Sequence, residues 1–464
     1  MKWKLFVGLA AICASAWSQS ADTLRMRLYD EVVFYDGYQV RNNPDKDLVH
    51  QDGILRNYTY LYSKKLTDEQ LDAFGEHVRM NVWVKACCDN YDRIGNINLA
   101  LIPKDSVEYD ALLHTDTRIE LGRFITPFMD KNRQPDVVPY TYEVDYLSLV
   151  FHDKALRAKY NFWVEFELFG VPYAANQLIA GCAGRNDVFF GSLEFATTTP
   201  ALPDTDRDVL VPIVMKMPEY MGGTNLNNYH ANCTDTIGKT VKTYSFEVPV
   251  DVEDAQLVLV TSNHGANEGG EEYNRRWHYV YVDDELVLTY KPGRTSCEPF
   301  RKYNTQQNGI YGYFWKTDTE WQSFSNWCPG DVIDNRIIRL GAFEAGTHRV
   351  RISVPEAEFV DRQGFIPVSI FFQGLTEGTL PVPIEAVPVG TERPDWQVRV
   401  ENGWLTVESA EPVLSVEVND VQGRCFYRAD DCRPVGVSAF PAGLYLVHVE
   451  LAAGLIRTRK VALP

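Results

Sequence analysis

Short segments in which hydrophobic and polar residues alternate make up much of this chain. The alternation is clearest in Val78–Lys85 and Phe162–Phe169, and it continues in Ala255–Thr261 and Trp277–Val282. A period of two residues sends successive side chains to opposite faces of a β-strand. One face of the second segment then carries Phe162, Val164, Phe166 and Leu168. The pattern predicts half-buried strands along most of the chain.

Helix signals are few. The best is Thr67–Gly75, which has a Thr at its start and a Gly at its end and predicts one or two turns. The pair Asp283-Asp284 predicts the tip of a hairpin between two strands. Many short strands separated by turn residues are typical of β-sandwiches and jelly rolls.

Proline-rich segments divide the chain. Thr197–Pro203 separates a first predicted sandwich from a second, and a stretch with Pro381, Pro383, Pro388 and Pro394 follows the second. Proline stiffens an extended linker and blocks strand pairing. Since 464 residues are too many for one ordinary core, several domains are expected. We predict sandwiches at 22–196 and 204–375, a linker at 376–396 and a small β-domain at 397–464.

The N-terminus and the charge predict an exported, acidic protein. Lys2 and Lys4 precede the apolar run Leu5–Ala14, and a small-x-small cleavage pattern follows, so residues 1–19 are predicted to be a signal peptide. The run is too short to span a bilayer. The net charge of −18 argues against nucleic acid as a partner. We therefore expect passage through the periplasm and a final place outside the cell or on the outer-membrane surface.

Cysteines are compatible with disulfides in such a protein. Of the nine, Cys13 lies in the predicted signal, and the sequence leaves the pairing of the others open. Cys425 and Cys432 flank a polar turn and are candidates to pair. Cys87 and Cys88 are adjacent and cannot easily bond to each other, so Cys88 pairs elsewhere or stays a buried thiol.

The most informative polar stretch is Cys88–Arg93, with the sequence C-D-N-Y-D-R, followed later by Ile119–Phe128, with the sequence I-E-L-G-R-F-I-T-P-F. Asp92 falls between two predicted strands, at a rim position where functional groups usually lie. Arg93 beside it is expected to lower the pKa of Asp92 and keep it ionised. By themselves, these residues are more typical of a surface ion pair of little energetic consequence.

In this order, the two stretches resemble the N-terminal half of the bacterial peptide-N-glycosidase F family. The resemblance runs from about Leu28 to Phe372 and implies two adjacent jelly-roll-like antiparallel sandwiches. The family cleaves the amide that joins an N-glycan to asparagine, and the resemblance implies that Asp92 is the catalytic carboxylate. Amide hydrolysis needs a carboxylate that activates water, a proton for the departing nitrogen and donors for the oxyanion. The resemblance also implies that Arg93 helps to hold the core sugars of the glycan.

A second carboxylate is implied within Gly270–His278, which is similar to the family's C-A-E-W-C-x-R-x-H segment. The matching residues are Glu272, Tyr273, Arg276 and His278. Glu272 is implied to position the water or the amide, and Arg276 to bind substrate. Gly270 and Asn274 replace the family's two cysteines, so a looser hold or other bracing contacts are expected. Glu271 is the weaker match for the role, and a solvated charge cluster is the alternative for the whole segment.

Further substrate contacts are implied by the same resemblance. Asp153 falls where the family has a substrate-binding Glu, although an ordinary turn acid is nearly as good an interpretation. His264 falls near a cleft turn of the family, with a structural histidine as the alternative. Trp327 belongs to the motif W-C-P-G, and its ring would offer a flat apolar face to a sugar.

Two other positions bear on the same region. The resemblance places Cys297 and Cys328 on one disulfide, whose loop would stabilise the fold by roughly 3–4 kcal/mol in the chain-entropy model. Phe324 stands where the family has an Arg, which removes one implied glycan contact.

No metal or cofactor is expected. The nine histidines are dispersed without H-x-H or H-E-x-x-H spacing. A nucleophile elbow, a P-loop and a dinucleotide fingerprint are also missing from the sequence.

The C-terminal segment carries a second resemblance. Its V-x-D-x-x-G-R turn, its P-x-G-L-Y-L-V-x-V strand and the basic strand Arg457–Lys460 resemble the sorting domain of the type IX secretion system of Bacteroidetes. The resemblance implies the type IX machinery as a partner. An immunoglobulin-like accessory module is the alternative.

The sequence thus predicts an all-β chain of two adjacent jelly-roll-like antiparallel β-sandwiches and a small C-terminal immunoglobulin-like β-sandwich. The implied function is a peptide-N-glycosidase acting on N-linked glycoproteins or glycopeptides. Two alternatives remain at this stage. One is a non-catalytic N-glycan-binding surface protein on the same fold, and the other is a glycoside hydrolase that uses Asp92 and Glu272 as its carboxylate pair.

Overall fold

A computed structural model of the chain describes residues 23–39, 53–106, 117–215, 224–228, 235–266, 269–306, 311, 314–359, 364–381, 396–401, 403–409, 413–420, 424–429, 431–451 and 456–463. The predicted signal, most of the predicted linker and Cys233 lie outside the described residues. The chain divides into two compact units, residues 1–383 and 384–464.

The first half of the larger unit is a two-sheet sandwich. Its strands are β1 Thr23–Tyr35, β2 Ile54–Tyr58, β3 Leu61–Lys65, β4 Val78–Ala86, β5 Ile94–Pro103, β6 Arg118–Ile125, β7 Val137–Glu143, β8 Tyr160–Leu168 and β9 Asp187–Thr198. One sheet has the order β1-β9-β4-β7, and the other has β6-β5-β8-β3-β2, with antiparallel pairs throughout.

Alternation along the strands builds the core between these sheets. In β4 every second residue from Val78 to Ala86 is buried, as the sequence pattern predicts. Aromatic rings fill the centre: Phe34 lies 5.0 Å from Phe166, and Phe124 stacks on Tyr140 at 4.3 Å between ring centroids. Each fully buried side chain of this size stabilises the fold by roughly 1.5–3 kcal/mol.

Helices are short connectors in this half. They are α1 Asp68–Asp72, α2 Tyr146–His152, α3 Lys154–Lys159 and α4 Tyr173–Leu178. The helix predicted from Thr67 is confirmed as α1, where Thr67 and Gln70 form a reciprocal capping box.

The second half of the larger unit is another antiparallel sandwich. Its strands are β10 Asp208–Val214, β11 Val241–Val248, β12 Val252–Thr261, β13 His278–Val282, β14 Glu285–Tyr290, β15 Val332–Ile333, β16 Arg336–Phe343, β17 Gly346–Ser353 and β18 Val368–Leu375, with one helix, α5 Asp318–Phe324. The sheet orders are β10-β18-β12-β16 and β11-β17-β13-β14. Asp283 and Asp284 adopt φ of 47° and 71° at the β13–β14 tip, which confirms the predicted hairpin.

The two sandwiches share an edge. The short strand β15 leaves the second half and pairs with β6 of the first, with Val332 opposite Phe124 and Ile333 opposite Arg123. The rim that carries the candidate chemistry is therefore built from both halves.

The smaller unit, residues 384–464, has its own core. Its strands are β19 Trp396–Glu401, β20 Trp404–Ser409, β21 Val413–Asp420, β22 Cys425–Ala429, β23 Val435–Gly436, β24 Gly443–Leu451 and β25 Ile456–Leu463. They form sheets of order β19-β20-β23 and β22-β21-β24-β25 around Leu405, Val416, Val418 and Val447. The suggested pairing of Cys425 with Cys432 does not occur, because both are exposed free thiols.

The predicted all-β class is confirmed. Within the described part of the chain, every helix is too short or too polar to traverse a bilayer.

Candidate active site

Asp92 lies in the loop 87–93, between β4 and β5, and this loop is tied down at several points. The disulfide Cys88–Cys182 anchors its start, with Cα atoms 5.5 Å apart. Cys88 therefore pairs elsewhere in the chain, while Cys87 stays a buried thiol. At the end of the loop, Thr126 accepts a hydrogen bond from the Arg93 amide at 2.7 Å and donates to the Tyr91 carbonyl at 3.1 Å.

Asp89 fixes the inner side of this loop. It is buried, and its carboxylate accepts hydrogen bonds from the backbone amides of Tyr91 at 3.0 Å and Val171 at 2.7 Å. It also binds the Arg93 guanidinium, with 2.6 Å from Nε to Oδ2 and 3.3 Å from Nη2 to Oδ1. The ion pair of this motif is thus Asp89–Arg93. Arg93 is next to Asp92 in the chain, but its positive charge is already paired with Asp89.

Asp92 is a carboxylate with a raised pKa. Burial raises the pKa of Asp92 to about 6, and the positive charge of Arg93 opposes this rise without cancelling it. Arg93 thus lowers the pKa of Asp92, as expected, but the pKa stays above its ordinary value. The reason is that desolvation is the larger effect and that the guanidinium is bound to Asp89.

Glu272 lies on the segment 269–278, which amide side chains brace. Asn326 Nδ2 donates to the carbonyl oxygens of Glu271 at 2.9 Å, Glu272 at 2.7 Å and Asn274 at 3.1 Å. Asn274 Nδ2 in turn donates to the carbonyl of Gly270 at 3.1 Å. Hydrogen bonds thus join Gly270 and Asn274, the two positions where the resembling family has cysteines.

The Glu272 carboxylate binds two backbone amides and interacts with the charge of Asp92. Ala266 donates its amide to Glu272 Oε2 at 2.7 Å, and the Gly265 amide donates as well. Burial raises the pKa of Glu272, the charge of Asp92 adds to the rise and the two amide donors oppose it, so that the pKa is about 7. The Tyr273 hydroxyl has its pKa raised by burial and by both carboxylates. Asp92 and Glu272, from different sandwiches, thus lie close enough for their charges to interact.

Glu271 is directed elsewhere. Its buried carboxylate binds Arg276, with 2.9 Å from Nη2 to Oε1, and accepts the Glu358 amide at 3.1 Å. The structure therefore favours Glu272 over Glu271 as the partner of Asp92. Arg276 is paired with Glu271, so its guanidinium is not free.

Trp327 and His264 pack inside the protein. Trp327 is 3% exposed and donates Nε1 to the Asn263 carbonyl at 2.7 Å. His264 is 5% exposed, stacks on Trp327 at 5.9 Å, and places Nε2 2.6 Å from Ser262 Oγ. The sequence predicts that the Trp327 ring is exposed and offers a flat face to a sugar. The structure instead buries Trp327 almost completely. The indole is covered because it joins a cluster with Ile125 and Ile333 at the shared edge.

The implied disulfide between Cys297 and Cys328 is confirmed. Next to it, Phe324 packs on Tyr273 at 5.9 Å, and Lys316 Nζ lies 3.9 Å from the centre of the Phe324 ring. A cation thus lies against the ring of Phe324, the residue that stands where the resembling family has its Arg.

Asp153 is held by the backbone. Its Oδ1 caps α3 by accepting the Leu156 amide at 2.8 Å, and its Oδ2 accepts the Asp208 amide at 3.2 Å. Burial raises the pKa of Asp153, while these amides oppose the rise. None of these contacts involves Asp92 or Glu272, so the structure does not bring Asp153 into the pair.

A metal site gains no support. Among the described residues, one group of three has ligand atoms close enough for a metal, namely Cys87, Cys88 and Asp187. Cys88 is bonded to Cys182, so its sulfur is not a thiolate ligand.

Sequence reasoning missed the side chains that hold the site together. Asn326 directly precedes the W-C-P-G motif, and Asn263 follows the end of β12. Asn326 could have been noticed in the sequence because it is next to the W-C-P-G motif. Nothing in the sequence marked Asn263 as part of the site.

The arrangement has the chemical elements for hydrolysis. Two carboxylates interact while their pKa values are about 6 and about 7, so near neutral pH one is mostly ionised while the other is partly protonated. An ionised carboxylate can take a proton from water, and a protonated one can donate to a leaving group or a carbonyl.

Comparisons with known proteins agree with this architecture. The family models for peptide-N-glycosidase F match residues 28–183 with the N-terminal domain and residues 230–373 with the C-terminal domain. No curated protein sequence matches the chain significantly.

Solved structures give the same picture. PNGF-II has 18% sequence identity and a TM-score of 0.53, and the match covers 77% of this chain and 66% of PNGF-II. PNGase F from Flavobacterium meningosepticum, described as a glycosylasparaginase, has 15% identity and a TM-score of 0.49, with 78% and 99% covered. At 18% identity the likeness to PNGF-II shows the fold alone.

Proposed function

Since both of its halves match the peptide-N-glycosidase F domains, the chain belongs to that family, and we propose that it is a peptide-N4-(N-acetyl-β-glucosaminyl)asparagine amidase. It would hydrolyse the amide that joins an N-glycan to asparagine. The products are an aspartate in the peptide and a glycosylamine that loses ammonia. The observation that carries the proposal is the interaction of Asp92 with Glu272 across the two sandwiches.

The two carboxylates take different roles in this proposal. Asp92, with the lower pKa of the two, is ionised near neutral pH and removes a proton from the attacking water. Glu272, with a pKa of about 7, keeps its proton over more of that range and donates a hydrogen bond to the substrate amide. Holding both groups at one bond also provides the orientation that lowers the barrier of a bimolecular step.

Arg93 is the sequence-predicted binding residue that best suits a substrate contact. It neighbours Asp92 in the loop 87–93, and about a quarter of its side chain is exposed (24%). Its Nε and Nη2 are held by Asp89, which orients the guanidinium before substrate arrives. Asp153, Trp327 and His264 are buried, so we propose that they support the fold around the site. Arg276, paired with Glu271 and 30% exposed, is held much as Arg93 is.

The unequal carboxylate pair also fits a glycoside hydrolase, in which one carboxyl is an acid and the other a base or nucleophile. That enzyme would cleave between sugars and leave one N-acetylglucosamine on the peptide. The proposed amidase leaves no sugar and converts asparagine to aspartate.

Mass analysis of a glycopeptide treated with the purified protein in heavy-oxygen water separates these outcomes. The amidase gives a sugar-free peptide with an aspartate that carries the heavy oxygen. A peptide that retains one N-acetylglucosamine would identify the glycosidase instead. An unchanged glycopeptide that nevertheless binds the protein would identify a glycan-binding protein and overturn the proposal.

We further propose that the chain is exported and that residues 384–464 direct the final step through the type IX machinery. The two disulfides, Cys88–Cys182 and Cys297–Cys328, fit an oxidising compartment. The separate core of the smaller unit fits a module that acts on its own. In a host with type IX secretion, a chain that ends at residue 383 should accumulate in the periplasm. Normal release of that chain would contradict the role of the smaller unit.

A further inference from the structure

The stretch Ile119–Phe128 contains a buried ion pair. In β6, Arg123 donates from Nε and Nη2 to both oxygens of Glu120, at 2.8 Å and 2.7 Å. Both side chains are inaccessible to solvent. A buried pair of this kind is costly to desolvate unless further hydrogen bonds complete it.

The second sandwich completes this pair. Arg123 Nη1 donates to Ser262 Oγ at 2.8 Å and to the Pro367 carbonyl at 2.9 Å. Ser369 donates its hydroxyl to Glu120 Oε2 at 2.5 Å. The charges of the first half are therefore satisfied by three groups of the second.

Ser262 begins the 262–266 loop, the segment Ser262–Ala266 that follows β12. Within it, His264 Nε2 lies 2.6 Å from Ser262 Oγ, and the His264 backbone exchanges two hydrogen bonds with Phe365. Gly265 has φ of +76°, and a Cβ there would lie 2.5 Å from the Phe365 ring, so the loop requires glycine. The loop ends with the Gly265 and Ala266 amides that bind the Glu272 carboxylate.

An unbroken series of contacts therefore joins Arg123 to Glu272. We propose that Arg123 is a positioning residue for the carboxylate pair: through Ser262 it fixes the 262–266 loop, whose amides hold Glu272 toward Asp92. The inference rests on the proposed function. The fork of donors on an arginine suits this position, because it serves Glu120 on one side and Ser262 on the other.

A measurable property follows from the loop amides. Hydrogen bonds to a carboxylate favour its charged form, so loosening the loop raises the pKa of Glu272. The other titratable groups that interact with Glu272 are Asp92 from the first sandwich and Tyr273 on its own segment. His264 lies in the loop itself. Ser262→Ala leaves Asp92 and Tyr273 unchanged and removes one hydrogen-bond partner of His264.

The test is Ser262→Ala, compared with Ser262→Thr, which keeps the hydroxyl. The matched control is Thr261→Val, because Thr261 is the adjacent residue, is equally buried and also loses one hydroxyl contact, to Tyr290 at 2.7 Å. For Ser262→Ala we expect kcat to fall on the order of tenfold or more, since small misplacements of catalytic groups have effects of that size. The alkaline limb of the pH profile should also move to higher pH in Ser262→Ala. In the control Thr261→Val the alkaline limb should stay at its wild-type pH. Ser262→Thr should recover at least part of the lost kcat.

The proposal would be overturned if Ser262→Ala changed neither kcat nor the alkaline limb of the pH profile. It would also be overturned if Thr261→Val changed both as much as Ser262→Ala does. Arg123→Lys, checked for folding by thermal unfolding, should show the same upward shift if it folds. If the wild-type protein releases no glycan, the proposed function fails. Infrared titration of the Glu272 carboxylate, identified by comparison with Glu272→Gln, then still decides whether Ser262→Ala raises its pKa.

Discussion

The carboxylate of Asp92 raises the pKa of Glu272, although the two residues belong to different sandwiches. Like charges in one partly desolvated site cannot both ionise easily, so their protonation is coupled. The shared edge, where β15 pairs with β6, keeps the two sandwiches in contact. The site therefore exists only because both halves fold together.

The first prediction concerns pH. With Asp92 ionised and Glu272 protonated in the active form, kcat/KM should rise as pH passes about 6 and fall as pH passes about 7. The sign follows from the roles: the base loses its proton on the acidic side, and the donor loses its proton on the alkaline side. A glycopeptide assay across pH with a fluorescent or mass readout measures both limbs.

Glu272→Gln serves as the control for that profile. Glutamine cannot ionise, so the alkaline limb should disappear while the acidic limb remains near its wild-type position, because Glu272 is already mostly protonated where Asp92 titrates. An unchanged alkaline limb in this variant would assign the limb to another group.

Asp92→Asn should abolish glycan release and leave the fold intact. Asparagine has nearly the same shape, but it cannot accept the proton of the attacking water, and loss of a general base lowers the rate by roughly 10²–10⁴-fold. Thermal unfolding and circular dichroism should match the wild type, since burial of an ionisable carboxyl is relieved rather than created. Substantial activity of Asp92→Asn on a denatured glycoprotein would remove Asp92 from the mechanism.

The strands were the most predictable part of the fold, because their side chains obey a local rule. β4 and β13 follow the two-residue alternation of a half-buried strand, whereas Val164–Leu168 in β8 and Ala255–Thr261 in β12 are buried on both faces, so the half-buried prediction was wrong for those two. Helix α2, Tyr146–His152, was not predicted, because all seven of its residues are buried and no polar face marks a helical period. Its surroundings, rather than its own sequence, decide its conformation.

The site divides in the same way. Asp92 and Glu272 were predicted through family motifs, and their interaction follows from the structure. The brace at Asn326 had no pattern of its own, because its three carbonyl partners are distant in sequence. The exposure of Trp327 was misjudged for a related reason: its burial depends on the packing of the shared edge, which no local signal encodes.

Asp153→Ala should lower stability without changing KM. The substitution removes the cap of α3, which costs about 0.5–2 kcal/mol, and leaves the Asp208 amide without its acceptor. Asp153→Asn retains a capping oxygen and should lose less. Chemical denaturation measures the first effect, and glycopeptide kinetics measure the second. A marked rise in KM with unchanged stability would instead support the sugar contact that the family resemblance implies.

Removing the Cys88–Cys182 disulfide should affect both stability and rate. The bond joins residues 94 positions apart, so its loss costs about 4.7 kcal/mol in the chain-entropy model. It also frees the start of the loop 87–93, so kcat should fall more than KM changes. The variant carries Ser at both positions and at Cys87, which leaves no thiol in the loop 87–93 to form a substitute bond. Replacing the free thiols Cys425 and Cys432 by Ser is the control and should change neither quantity.

Asn326→Ala should loosen the segment that presents Glu272. The carbonyl oxygens of Glu272 and Asn274 lose this donor, while the Glu271 carbonyl keeps the Asn263 Nδ2 donor at 3.2 Å. Unsatisfied buried polar groups cost about 1–3 kcal/mol each when water cannot reach them. Because Glu272 moves with its backbone, kcat should fall together with stability. Asn335→Ala is the matched control, since Asn335 Nδ2 binds only the Leu121 carbonyl, at 2.6 Å, on β6. It should lose stability with kcat intact, and an equal loss of kcat in both variants would show that Asn326 acts on the fold as a whole rather than on Glu272.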